Sequence, residues 1–116
     1  LAGLENLSLE HLAPSADHLR ALLTRCQETL TSLDLEGCAL GQEHMKVLCD
    51  VSLPMLGSLD LSNTSLQDSD LDILSRSINI ENLSTLSLRD NELGVQARER
   101  FAQNAKLSVE TRGKCF

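Results

Sequence analysis

The residues of this chain best suited to chemistry are four cysteines, Cys26, Cys38, Cys49 and Cys115, and three histidines, His11, His18 and His44. A thiol can act as nucleophile, metal ligand or redox partner, and an imidazole as general base or ligand. Each of those roles needs company at the right distance. Zinc takes about four convergent ligands, but the sequence has no CxxC pair, and the closest His/Cys pair, His44 and Cys49, stands five residues apart. On a helix that spacing turns the two roughly 140° away from a common face. No histidine sits in a sequence-local serine, cysteine or carboxylate arrangement resembling a triad. There is no glycine-rich phosphate loop either; Gly37, Gly41, Gly57 and Gly94 mark turns between elements. The sequence therefore assigns no catalytic residue, no metal ligand and no cofactor.

Cys38 belongs to a series. The stretch "LENLSLEHL" begins at Leu4, "LTSLDLEGCAL" at Leu30, "LGSLDLSNTSL" at Leu56 and "LSTLSLRDNEL" at Leu83, in steps of 26, 26 and 27 residues. Each copy reads L-x-x-L-x-L. The last three carry a small or polar ninth residue, Cys38, Thr64 and Asn91, and leucine at the eleventh position. The first copy departs, with Leu12 and Pro14 in those places. A nucleophile is not interchangeable with threonine and asparagine. All three residues can satisfy the backbone of a turn from inside a stack, so Cys38 reads as a wall residue.

The pattern implies elements. In L-x-L both leucines point to one face of a strand and their neighbours to the other. After the first strand and Pro14, Ala16, Leu19, Leu23 and Cys26 form one helical stripe. Met45, Leu48 and Cys49 form a second. A third helix is expected to be capped by Asp68, with Asp70 and Asp72 in its first turn and Leu71, Leu74 and Ile78 on its apolar face. Ala97, Phe101 and Ala105 make the fourth. No unit can bury both its strand face and its helix stripe alone, so stacking is required. Residues 105–116, with Leu107 and Val109 in strand alternation and then charges and Gly113, read as a closing cap at the native end. Nothing covers the first strand, and further repeats or a cap are expected upstream.

Pattern and period resemble leucine-rich repeats, in particular the ribonuclease-inhibitor-like and cysteine-containing subclasses. The resemblance covers nearly the whole chain. It implies a single α/β domain over residues 1–116: a leucine-rich-repeat solenoid, or horseshoe, of about four repeats with a parallel inner sheet and outer helices. In that architecture the x positions of the strands line the concave face. Read as columns, they give Asn6, Ser32, Ser58, Thr85; then Ser8, Asp34, Asp60, Ser87; then Glu10, Glu36, Ser62, Arg89; then His11, Gly37, Asn63, Asp90. The candidate partner-binding residues are Asp34, Glu36, Asp60, Asn63, Arg89 and Asp90. Asp34 and Asp60 are expected about 4.8 Å apart on adjacent strands, where like charges repel and a cationic partner or an ion would relieve them.

Composition narrows the partner. The net charge is −7, with 5 basic and 15 acidic residues up to Ala97 and 5 basic and 2 acidic from Arg98 onward. An acidic body argues against nucleic acid and anionic membrane and towards a protein with a basic patch. The chain has no Trp or Tyr, so an interaction through this face is polar and salt-sensitive. No apolar run approaches the roughly 18–20 residues of a membrane span. Four dispersed cysteines fit a reducing, cytoplasmic or nuclear setting better than a disulfide framework; the sequons at Asn6, Asn63 and Asn82 pull mildly the other way. The function expected is a protein–protein interaction module, the C-terminal section of a larger intracellular protein. Such repeats serve in ubiquitin-ligase substrate receptors and innate-immune sensors. Two alternatives stand beside it: a structural capping segment that binds nothing, and a GTPase-activating repeat domain using Arg89. A small-molecule substrate is not expected.

Overall fold

The computed structural model describes residues 3–105. Its strands are short and occupy the centre of each L-x-x-L-x-L copy: β1 (Asn6–Ser8), β2 (Ser32–Asp34), β3 (Ser58–Asp60) and β4 (Thr85–Ser87). They form one parallel sheet in the order β1-β2-β3-β4. The register sets Leu7 beside Leu33, Leu33 beside Leu59 and Leu59 beside Leu86, so the sequence repeat and the ladder share one step. A helix follows each strand: α1 (Ala16–Cys26), α2 (Gln42–Asp50), α3 (Asp68–Leu74) and α4 (Val95–Asn104). Each helix packs on the next, α1 on α2, α2 on α3 and α3 on α4. The described residues thus form an α/β fold of four strands and four helices, laid down one β–α unit at a time.

The core lies between the two layers. Leu33, Leu35, Leu59, Leu61, Leu86 and Leu88 are 3% exposed or less, and Leu19, Leu23, Met45, Leu48, Leu71, Leu74 and Phe101 meet them in one apolar cluster. Burying a leucine contributes about 1.5–3 kcal/mol, and each strand leucine here gains that only when a neighbouring unit is in place. In the first unit Leu7 and Leu9 stay half-buried. No helix among the described residues is long and apolar enough to cross a membrane.

Helix starts differ from unit to unit. Ser15 caps α1 by accepting from the His18 amide at 3.1 Å. Before α2, the Gly41 amide donates to His44 Nδ1 at 3.1 Å, and His44 Nε2 meets Pro14 O at 2.8 Å. With Nδ1 accepting, the proton sits on Nε2, and the ring ties its own helix start to the preceding unit.

Three expectations are corrected at α3. The acidic residues of its first turn are Asp68 and Asp70, with Asp72 beyond it, because the helix begins at Asp68. The cap residue is Gln67, whose amide donates to Asp70 Oδ2 at 2.9 Å. Asp68 lies one residue further in and turns to the next unit, where Oδ1 accepts from the Gly94 amide at 2.9 Å. Ile78 does not continue the apolar face of α3, because the helix ends at Leu74. The chain re-enters as a 3-10 turn (Ile78–Asn82) started by Ser77, leaving Ile78 61% exposed. The buried residues of this turn are Ile80 and Asn79. Asn79 Oδ1 accepts from the Leu53 amide at 2.8 Å, and Nδ2 donates to Leu48 O at 2.8 Å and Val51 O at 2.7 Å. The closing cap expected over residues 105–116 lies outside the described residues apart from Ala105, as do Leu107, Val109 and Cys115.

Candidate functional site

The strand face opposite the leucines carries the candidate residues. Asp34 and Asp60 are half-buried and paired across β2 and β3. Each does a local job: Asp34 Oδ1 accepts from the Glu36 amide and Asp60 Oδ1 from the Ser62 amide, both at 2.9 Å. These turns lead the chain out of the strand and hold one carboxylate oxygen of each residue in place. Beyond them the ladder continues through the His11, Gly37 and Asn63 amides, which donate to Glu36 O, Ser62 O and Arg89 O.

This ladder brings Glu36 against β1. Glu10, Asp34 and Glu36 each present a carboxylate oxygen within 4.8 Å of the others. Desolvation pushes the Glu36 carboxyl above its ordinary value; the Asp60 charge, a hydrogen bond with Glu10 and the Glu10 and Asp34 charges act in the same direction. A basic group close by is His11, whose Nε2 lies 3.4 Å from Glu10 Oε1 with both side chains largely in solvent. Arg89 is exposed on the fourth unit, with Ser62 standing between its position and that of Glu36. Among the described residues the face is therefore mostly acidic across the first three units, with His11 beside Glu10, and carries an arginine, Arg89, on the fourth. Ser62 and Ser87 bridge the third and fourth units through an Oγ–Oγ contact of 2.5 Å.

Asn63 and Asp90 have a different position. Both are exposed, and both hold φ in the left-handed region, 52° and 60°. So do the equivalent His11 and Gly37, at 60° and 76°. The fold requires that backbone wherever the chain leaves a strand, and Gly, Asn and Asp adopt it at least cost. At Gly37 there is a second constraint, since a Cβ there would run into the His11 imidazole. Asn63 and Asp90 thus line a polar groove with Ser65, Gln67 and Glu92 at the strand-to-helix loops, away from the carboxylates of the strand face.

The ninth position settles the role of Cys38. Its Sγ, fully buried, donates to Leu9 O at 2.9 Å. Thr64 Oγ1 donates to Leu61 O at 2.7 Å. Asn91 accepts from the Thr64 and Leu66 amides, both at 3.0 Å, and donates to Leu61 O at 2.9 Å and Leu88 O at 3.1 Å. All three side chains bond strand-end backbone: Cys38 that of the preceding unit, Thr64 that of its own, and Asn91 both. Cys26 and Cys49 likewise donate to Leu22 O and Ile73 O, each at 3.2 Å. Burial is the leading cause that raises all three thiols above the ordinary range, which keeps them protonated and poor as nucleophiles.

Sequence reasoning missed Glu10 as the third carboxylate of the cluster. It belonged to the same column as Glu36, and the adjacent-strand argument used for Asp34 and Asp60 would have found it. It also missed Asn79, which lies outside the repeated motif and carries no local signal. No protein-family model matches this chain, and no curated protein matches it.

Proposed function

We propose that this chain is a leucine-rich-repeat section of the ribonuclease-inhibitor-like or cysteine-containing kind, a solenoid whose strand face is the concave wall of a horseshoe, and that it works as a protein–protein interaction module. The partner presents a basic patch. The observation that carries this reading is the register that sets Asp34 beside Asp60, next to Glu36 and Glu10, on a face whose leucine side is already spent on the core. Four carboxylates held close together repel one another, and a lysine or arginine placed among them removes that repulsion. The setting is a larger intracellular protein, such as a ubiquitin-ligase substrate receptor or an innate-immune sensor.

The test is affinity capture from a cytosolic extract, comparing wild type with an Asp34→Arg/Asp60→Arg variant whose fold is checked by circular dichroism. Partners held by wild type, released by added salt and lost from the folded variant support the reading. An identical capture by both proteins refutes it.

A further inference from the structure

The strand face holds its charges in a fixed order. Where the chain leaves the strands, each step of the ladder ties one unit to the next. The His11 amide donates to Glu36 O at 2.8 Å, the Gly37 amide to Ser62 O at 3.1 Å and the Asn63 amide to Arg89 O at 2.9 Å. Glu10, Glu36, Ser62 and Arg89 therefore stand in one row across the sheet: two carboxylates, a hydroxyl and a guanidinium. Ser62 is 6% exposed and its Oγ meets Ser87 Oγ, so the row is uncharged between its acidic and basic ends. Arg89 is exposed and forms no ion pair with the described residues. Its neighbour Asp90 turns away on a left-handed backbone, φ 60°, to line the groove at the strand-to-helix loops.

A partner cannot meet one end of this row without covering the other. Neighbouring strands lie about 4.8 Å apart, which separates the positions of Glu36 and Arg89 by about 10 Å. A specific protein interface covers about 800 Å² on each side, a patch roughly 30 Å across. Whatever brings a basic group to Asp34, Glu36 and Asp60 also takes Arg89 out of water. A charge buried there without a counter-charge works against the complex.

Resting on the reading of this face as a binding wall, we propose that the partner segment is bipolar. It carries a lysine or arginine over Asp34, Glu36 and Asp60, and an aspartate or glutamate about 10 Å away over Arg89. Arg89 thereby sets the direction in which the partner lies across the sheet. Turned end for end, the same segment puts acid on Glu36 and base on Arg89. A uniformly basic segment loses at Arg89 part of what it gains at the carboxylates. In an extended segment crossing the strands, each residue advances about 3.3 Å, so the two groups stand about three positions apart.

The experiment selects binders from a random-peptide display library on the immobilised full chain. Wild type is compared with Arg89→Glu, Arg89→Gln and Asp34→Asn/Asp60→Asn, each checked for its fold by circular dichroism. Asparagine keeps the turns that Asp34 and Asp60 make, and Arg89→Gln serves if charge reversal unsettles the fold. Wild type should select peptides enriched in Lys or Arg with Asp or Glu about three positions away. Both Arg89 variants should lose the acidic preference, and Arg89→Glu should bind a peptide selected on wild type about fivefold more weakly. Asp34→Asn/Asp60→Asn should weaken the basic preference. Basic peptides without the acidic residue, or an acidic preference that survives the Arg89 variants, overturn the proposal and leave the binding wall standing. No basic preference on wild type, or one that Asp34→Asn/Asp60→Asn leaves unchanged, overturns both.

Discussion

Asn79→Ala is the substitution whose cost the structure defines best. Asn79, 5% exposed, makes three side-chain hydrogen bonds to the end of α2 and the turn that follows it. Leu48 O keeps another partner when Asn79 goes, because Ser77 Oγ donates to it at 2.9 Å. Val51 O and the Leu53 amide lose the bonds that Asn79 supplies, and both residues are buried. An orphaned buried group costs about 1–3 kcal/mol, so the expected loss is about 3 kcal/mol, or roughly a hundredfold in the folded-to-unfolded ratio. For a domain of this size that lowers the melting midpoint by about 10–20 °C.

The assay is urea unfolding followed by circular dichroism, with Asn82→Ala, exposed in the same 3-10 turn, as a control expected within about 0.5 kcal/mol of wild type. Asn79→Asp sharpens the test. It keeps the acceptor for Leu53 but turns a second oxygen on two carbonyls. The charged form is disfavoured in the fold, so the native pKa is raised; stability held at low pH is lost as pH rises through that value. At neutral pH this variant should be worse than Asn79→Ala and should recover in acid. An Asn79→Ala within about 1 kcal/mol of wild type, or an Asn79→Asp that is no worse at neutral pH, refutes the reasoning.

Three further outcomes follow from the strand face and the thiols. Glu36 should titrate above its ordinary value by carboxyl NMR and move back towards it in Glu10→Gln or Asp60→Asn; the part of stability that falls as pH rises through that titration should flatten in Glu36→Gln. Cys26, Cys38 and Cys49 should alkylate in the native protein at neutral pH at least about tenfold more slowly than in urea, and fast native labelling of any of them would contradict their assignment as protonated hydrogen-bond donors, Cys26 and Cys38 buried and Cys49 half-buried. Asp34→Asn/Asp60→Asn should unfold at higher urea than wild type, by about 0.5 kcal/mol, while holding a basic partner less well in capture assays; a destabilised double variant would mean that the charges serve the fold.

The frame was legible because its cause repeats. Each strand needs leucines on one face and each helix a matching stripe, so four copies at a near-constant step carried strand positions, parallel register and helix order together. What stayed hidden was whatever answers to one place only. Asn79 serves a turn that occurs once. Ile78 fitted a helical stripe by spacing, but Ser77 and the 3-10 turn displaced it. Asp68 has the residue type of a cap, yet its carboxylate serves Gly94 in the next unit, a partner that no local reading supplies. The column containing Asn63 and Asp90 was read as surface chemistry, while its residue types also answer to a left-handed backbone. A column viewed as side chains alone does not separate those two demands.

The fifth position of the strand does separate them. Ser8 and Ser87 occupy it on the outer strands, Asp34 and Asp60 on the inner pair. The aspartates accept amides two residues on, and asparagine makes the same bond without charge. Two carboxylates one strand spacing apart repel by about 0.9 kcal/mol in water, cut to roughly 0.5 kcal/mol by physiological salt. Glu36, pushed above its ordinary value by the same crowd, adds to that cost. The fold asks at this position for a short acceptor; it does not ask for an anion. Negative charge where a neutral residue would hold the turn with less repulsion is the part of this face that stability does not explain, and it is the part that the proposed cationic partner would answer.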